Sequence, residues 1–186
     1  MPITAVQILW INMVTEITLG LAIAFEKADD GVMNRPPRPL RQSLIDRHLV
    51  WRILFVSALL VAGCLGIFLW ELERGSAVEV ARTAAINLLV MGHVAYLFNV
   101  RRLTTSSFTL KVFQGNVWLL WATLMLVALQ LALTYASPLN LWFGTAPIDQ
   151  QAWQVIGGFC LALFVLVELE KALIPVLFKG RGAYAG

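Results

Sequence analysis

Five apolar stretches, at about 4–25, 49–71, 80–100, 116–136 and 152–174, divide this chain of 186 residues, with charged or proline-rich segments between them. A helix needs ~20 predominantly apolar residues to cross a bilayer, so five crossings use most of the chain and leave no room for a large soluble domain. The composition agrees: 59% of the residues are hydrophobic and 13% charged, against ~45–50% and ~25% in soluble domains. The expected fold is an all-α membrane protein of five transmembrane helices, whose first partner is the lipid bilayer.

The first stretch does not read as a secretory signal. No basic segment precedes it, and Pro2, Asn12, Thr15 and Glu16 interrupt its apolar run. If the spans alternate, the loop at 26–48, the connection at 101–115 and the tail at 175–186 share one side. All of the 14 Lys and Arg except Arg74 and Arg82 then belong to that side or to the adjoining helix ends. The positive-inside rule predicts an external N-terminus and a cytoplasmic C-terminus; the expected location is a bacterial inner (plasma) membrane. The same distribution argues against nucleic acid as the reason for the net charge of +3, because the basic residues form no single stripe. Cys64 and Cys160 each sit inside an apolar run, which suits small core residues and offers neither a disulfide framework nor metal-ligand spacing.

Charge inside a bilayer costs ~2.5–3.5 kcal/mol on insertion scales, so Glu16 near the middle of the first span is the most informative residue. Asn12, Thr15 and Glu16 follow at i, i+3 and i+4, which on an α-helix sets a carboxamide, a hydroxyl and a carboxylate on one face. Hard oxygen donors of this kind suit alkali and alkaline-earth cations. The alternative is that Asn12 and Thr15 bond neighbouring helices or the preceding turn, with Glu16 protonated or paired in the bundle.

In the third span Asn87 and His93 stand at i, i+6, off a common face, and His93 alone reads more simply as a hydrogen-bonded packing residue than as a ligand. Gln130 and Gln154 read as glue between helices, and Glu168 pairs with Lys171 at i, i+3. The fourth and fifth stretches are joined by what reads as a loop of Pro138, Gly144 and Pro147, with Trp142 and Phe143 suited to the membrane interface. The run Arg35-Pro36-Pro37-Arg38-Pro39 is either a stiff linker or a docking surface. No phosphate loop, HExxH or nucleophile elbow occurs, so no catalytic residue and no bound cofactor is assigned.

The stretch Trp10-Ile11-Asn12-Met13-Val14-Thr15-Glu16, with Val32-Met33-Asn34-Arg35-Pro36-Pro37-Arg38 downstream, resembles the sixth span and following loop of calcium-pump-like P-type cation-transporting ATPases. Gly92-His93-Val94-Ala95-Tyr96-Leu97-Phe98-Asn99 is similar to the family's eighth span. Leu141-Trp142-Phe143-Gly144-Thr145-Ala146-Pro147 resembles its last external loop, and Val167-Glu168-Leu169-Glu170-Lys171 the end of its tenth span. The resemblance covers essentially the whole chain, residues 1–186, and implies spans six to ten of an ATP-driven pump. Its partners would be the remaining spans and the cytoplasmic domains. ATP and magnesium would be bound only by those domains, since the Asp-Lys-Thr-Gly phosphorylation motif does not occur here. The isolated chain is accordingly expected neither to hydrolyse ATP nor to pump.

By the resemblance, Asn12, Thr15 and Glu16 match cation ligands of the sixth span, for calcium or another hard cation. The family usually has Asp where this chain has Glu16, and the extra methylene moves the carboxylate by roughly a bond length. His93 falls where calcium pumps often have Glu or Gln, so a neutral imidazole would remove an oxygen ligand and an imidazolium would repel the cation. The Arg35 to Pro39 run leans toward coupling the phosphorylation domain to the first span. Two other functions stay open: a stand-alone membrane module or accessory subunit, and a small transporter in which Glu16 and His93 relay protons.

Overall fold

A computed structural model describes residues 1–24, 47–100 and 117–178, and every regular element among them is helical. The first span comprises α1 (Ala5–Ile11), a π-helical turn (Asn12–Glu16) and α2 (Ile17–Ala24). It is followed by α3 (Arg47–Glu73), α4 (Val78–Val100), α5 (Val117–Tyr135), α6 (Ser137–Phe143) and α7 (Gln150–Phe178). The described part of each of the five apolar stretches of the sequence is therefore largely helical. By length and composition Leu49–Glu73, Val78–Asn99 and Gln150–Leu173 can cross a membrane singly, and Leu119–Tyr135 passes the same test with Ser137–Phe143 across a 79° bend. The protein is an all-α membrane bundle.

The first span, α4 and α7 run in one direction and α3 and α5 in the other. One end of the bundle carries Met1, the α3–α4 turn and the α5–α7 connection; the opposite end carries Arg52 and Lys171. At the Met1 end, Thr4 caps α1 reciprocally: its hydroxyl accepts from the Gln7 amide at 3.4 Å while Gln7 Oε1 accepts from the Thr4 amide at 2.9 Å. Gln7 Nε2 also donates to the Phe143 carbonyl at 2.9 Å, so one buried side chain both starts the first span and holds α6 against it.

The α5–α7 connection is less irregular than its Pro and Gly content predicts. Pro138 stands in the first turn of α6, where a missing N–H costs nothing, and Gly144 ends the helix at φ +60° in the left-handed region. Phe143 turns inward and meets the Trp10 ring edge-on at 4.9 Å, whereas Trp142 stays exposed. Thr145 Oγ1 donates to the Leu133 carbonyl, and its neighbour's amide, Ala146 N, donates to Thr83 Oγ1, which ties the connection to α5 and α4.

Helix α4 is the axis of the bundle. Ala81, Ala84 and Ala85 are fully buried, and their small side chains admit α3 and α7 to close range. Glycine serves the same purpose where ring and helix meet: a Cβ on Gly63 of α3 would stand 2.3 Å from Phe159 Cε2 of α7. Cys64 is buried in this layer and Cys160 packs beside it, both as free thiols.

Ion pairs close both ends. At the Met1 end Arg74 donates to buried Glu71 at 3.1 Å and to Asp149 at 2.5 Å, and its guanidinium lies 4.4 Å from the Trp70 ring centroid. At the other end Arg52 meets Glu170 at 2.8 Å with side chains only 4% and 9% exposed, and Lys171 pairs with Glu168 at 3.0 Å, the i, i+3 contact expected from the sequence.

Candidate cation site

The Asn12–Glu16 segment is the one π-helical turn among the described residues. Hydrogen bonds from i to i+5 widen such a turn, and single π turns inside helices gather at functional sites. The widening has a direct effect on the residues expected to share a face. Thr15 is buried and its hydroxyl donates back to the Ile11 carbonyl one turn earlier. Asn12 is exposed, with no side-chain partner among the described residues. Asn12 and Thr15 therefore do not present a common face here, because five residues of π-helix advance through a different angle from five residues of α-helix. The Glu16 side chain lies outside the described residues, as does the whole Arg35, Pro36, Pro37, Arg38, Pro39 run.

Two faces of the first span contrast sharply. Trp10, Ile11 and Val14 turn inward and join Ile86, Val90 and Leu97 of α4 and Leu119, Leu126 and Leu133 of α5 in one core. Leu9, Met13 and Ile17 are 50–68% exposed, and Asn12 opens on this side. An apolar face interrupted by a carboxamide suits either lipid or further helices, and only helices or a cation would reward the amide.

His93 belongs by register to the same stripe of α4 as Ile86, Val90 and Leu97, at i+7, i+3 and i−4. It is half-buried, and Nδ1 lies 2.7 Å from the Leu89 carbonyl, so Nδ1 carries a proton. In the neutral ring Nε2 is then the acceptor, the atom through which imidazole binds a metal or receives a proton. This backbone bond is also what a packing histidine makes, and no contact between His93 and the π turn is seen. Asn87 is engaged elsewhere: its Nδ2 donates to the Thr83 carbonyl at 2.9 Å and to Thr134 Oγ1 at 3.0 Å, joining α4 to α5.

The sequence reading of the glutamines meets a different outcome. Gln154 is exposed, so it joins no pair of helices among the described residues. Gln130 is fully buried on α5, yet neither its Nε2 nor its Oε1 has a partner among the described residues. Gln7 was not singled out by spacing, although a Thr-x-x-Gln capping pattern was there to be read. Among the described residues no three His, Cys, Asp or Glu cluster together, so a cation in this bundle would be met by hydroxyl, carboxamide and single carboxylate oxygens.

Known proteins supply the context for that donor set. A family model described as "Cation transporting ATPase, C-terminus" matches residues 1–173. The probable cation-transporting ATPase F of Mycobacterium tuberculosis (strain ATCC 25618 / H37Rv) is 43% identical over 173 residues, 93% of this chain and 19% of that protein. The cation-transporting ATPase pma1 of Synechocystis sp. is 34% identical over 83% of this chain and 18% of its own length. The calcium-transporting ATPase of Bacillus subtilis (strain 168) is 30% identical over 89% of this chain and 19% of its own. The chain thus spans about a fifth of the length of the curated relatives it matches.

Proposed function

The chain belongs to the family of cation-transporting ATPase C-terminal regions, and from that premise we propose that it forms spans six to ten of an ATP-driven cation pump. In this reading residues 1–186 are one C-terminal membrane domain, with an external N-terminus and a cytoplasmic tail. The first span supplies part of the cation site through Asn12, Thr15 and Glu16, and α3 to α7 are the scaffold against which it moves.

The observation that carries this reading is the π turn at Asn12–Glu16, which among the described residues is the one irregular turn in a span with an intramembrane carboxylate. A widened turn relaxes the usual backbone pattern, and irregular backbone inside a membrane is tolerated where it is buried or lines a cavity. The exposed Asn12 and the apolar face around it suit the further spans of a larger pump. The transported ion is a hard cation. Calcium is the leading candidate, because the names of the Bacillus subtilis relative and of a 28% identical mouse relative specify calcium. His93 tunes the site by withholding a negative charge from the α4 side. ATP and magnesium act on domains other than this one.

The test is phosphorylation of the complete pump by ATP, titrated with calcium, manganese, magnesium, sodium and potassium. One cation should stimulate phosphorylation, and Glu16→Gln should raise the concentration of that cation required. An unchanged cation dependence in Glu16→Gln would leave Glu16 as a packing residue. The coupling loop is tested separately. Replacing Pro36 and Pro37 by Gly should leave ATP hydrolysis active while reducing the cation moved per ATP, and an unchanged ratio would remove the run from the mechanism.

A further inference from the structure

Gln130 occupies the centre of the buried stripe of α5, between Leu126 and Leu133, and is 0% exposed. Two ties fix its depth. The Asn87–Thr134 bond holds α4 and α5 at one level, and Gln130 lies one helical turn, about 6 Å, toward the Arg52 end from Thr134. Trp10 meets Phe143, and Thr145 beside Phe143 bonds the Leu133 carbonyl, so the first span's Trp10 is near the level of Leu133. One turn further along each helix brings Val14 of the π turn to the level of Gln130. The surrounding side chains, Trp10, Ile11, Val14, Ile86, Val90 and the two flanking leucines, form the apolar core into which the amide is set.

A carboxamide has two donors and an acceptor oxygen, and leaving both ends unbonded in an apolar interior is costly. Nothing outside the chain can reach the group directly, since this chain already covers it fully. A further unbonded polar atom belongs to the same core: Trp10 Nε1. The chemistry selects the ligand. A cation would satisfy Gln130 Oε1 but offers nothing to the N–H groups of Gln130 and Trp10. A water molecule accepts from Nε2 or from the indole and donates to Oε1, and buried waters occur where two to four such partners converge.

We propose that Gln130 holds buried water between the first span, α4 and α5, at the level of Val14 in the π turn. Its Nε2 donates to that water and its Oε1 accepts from it.

Hydroxyl-radical labelling by X-ray radiolysis of the complete pump reads the water, because radicals formed from a bound water oxidise the side chains beside it. Trp10, Leu126 and Leu133 should be labelled in the wild type, and their labelling should fall several-fold in Gln130→Leu. Absence of labelling, or labelling unchanged by the substitution, overturns the site. Leu is close to Gln in size and removes unbonded polar atoms, so folding is preserved, and Gln130→Met supplies an independent replacement.

Discussion

At the scale of single residues, burial decides what polar groups in this bundle cost. Arg52 and Glu170 stand 118 residues apart on different helices, and nothing in the sequence links them. Their meeting depends on α3 lying beside α7, a tertiary fact that no spacing within one helix reveals. Because both side chains are nearly dry, removing one leaves the other charged and unpaired. Arg52→Met should destabilise the bundle by ~3–5 kcal/mol, while Arg52→Met with Glu170→Met should recover most of that loss. Thermal unfolding of the complete protein in mild detergent distinguishes the two, and equal losses in both would show that packing, not charge, explains the effect. Gln130 and Gln154 make the same point differently. They look alike in the sequence, each a lone amide in an apolar stretch, and only packing tells one from the other.

At the scale of elements, helix ends were largely legible and helix interiors were not. Pro138 and Gly144 are start and stop signals for α6, and their helical reading failed only because Pro and Gly together usually mark a loop. The π turn has no comparable signature, since Asn12 to Glu16 has the composition of an ordinary polar patch in a span. Contact between α3 and α7 is also an element-scale property. Gly63→Ala forces a methyl into the Phe159 ring and should cost ~1–3 kcal/mol, whereas Gly66→Ala meets no neighbour and should be neutral or stabilise by up to ~1 kcal/mol. The unfolding midpoints of the two variants check this, and equal midpoints would refute close packing at Gly63.

The α6–α7 connection carries a pH signal. The Arg74 guanidinium hydrogen-bonded to Asp149, with the Ala152 amide, holds the Asp149 carboxyl below its ordinary value. A depressed carboxyl contributes stability above its unfolded pKa of ~3.9 and loses it as pH falls through the lower folded value. The pair is half-exposed, so solvent screens it and the effect is small. Acidification below about pH 4 should loosen the connection, and Asp149→Asn should flatten that part of the stability profile. Identical acid limbs in wild type and variant would assign the acid response to other groups.

At the scale of the whole molecule, the bundle is asymmetric. Its α4 side is closed by small residues, buried ion pairs and short turns, whereas the outer face of the first span exposes Leu9, Met13 and Ile17 around Asn12. This asymmetry suits a moving helix beside a fixed scaffold in a larger pump. The class of fold was legible because five apolar stretches leave a membrane chain few alternatives. The candidate ligands were legible as residue types, since polar groups inside spans are expensive and therefore informative. Their arrangement was not, because the π turn separates Asn12 from Thr15 by a rotation that helical periodicity does not anticipate. Anomalous scattering from the complete pump bound to manganese, an oxygen-seeking cation, tests the central claim most directly. The account predicts a cation peak against residues 12–16 with the Asn12 carboxamide among its oxygen ligands; a peak elsewhere in the membrane region, remote from that turn, would contradict it.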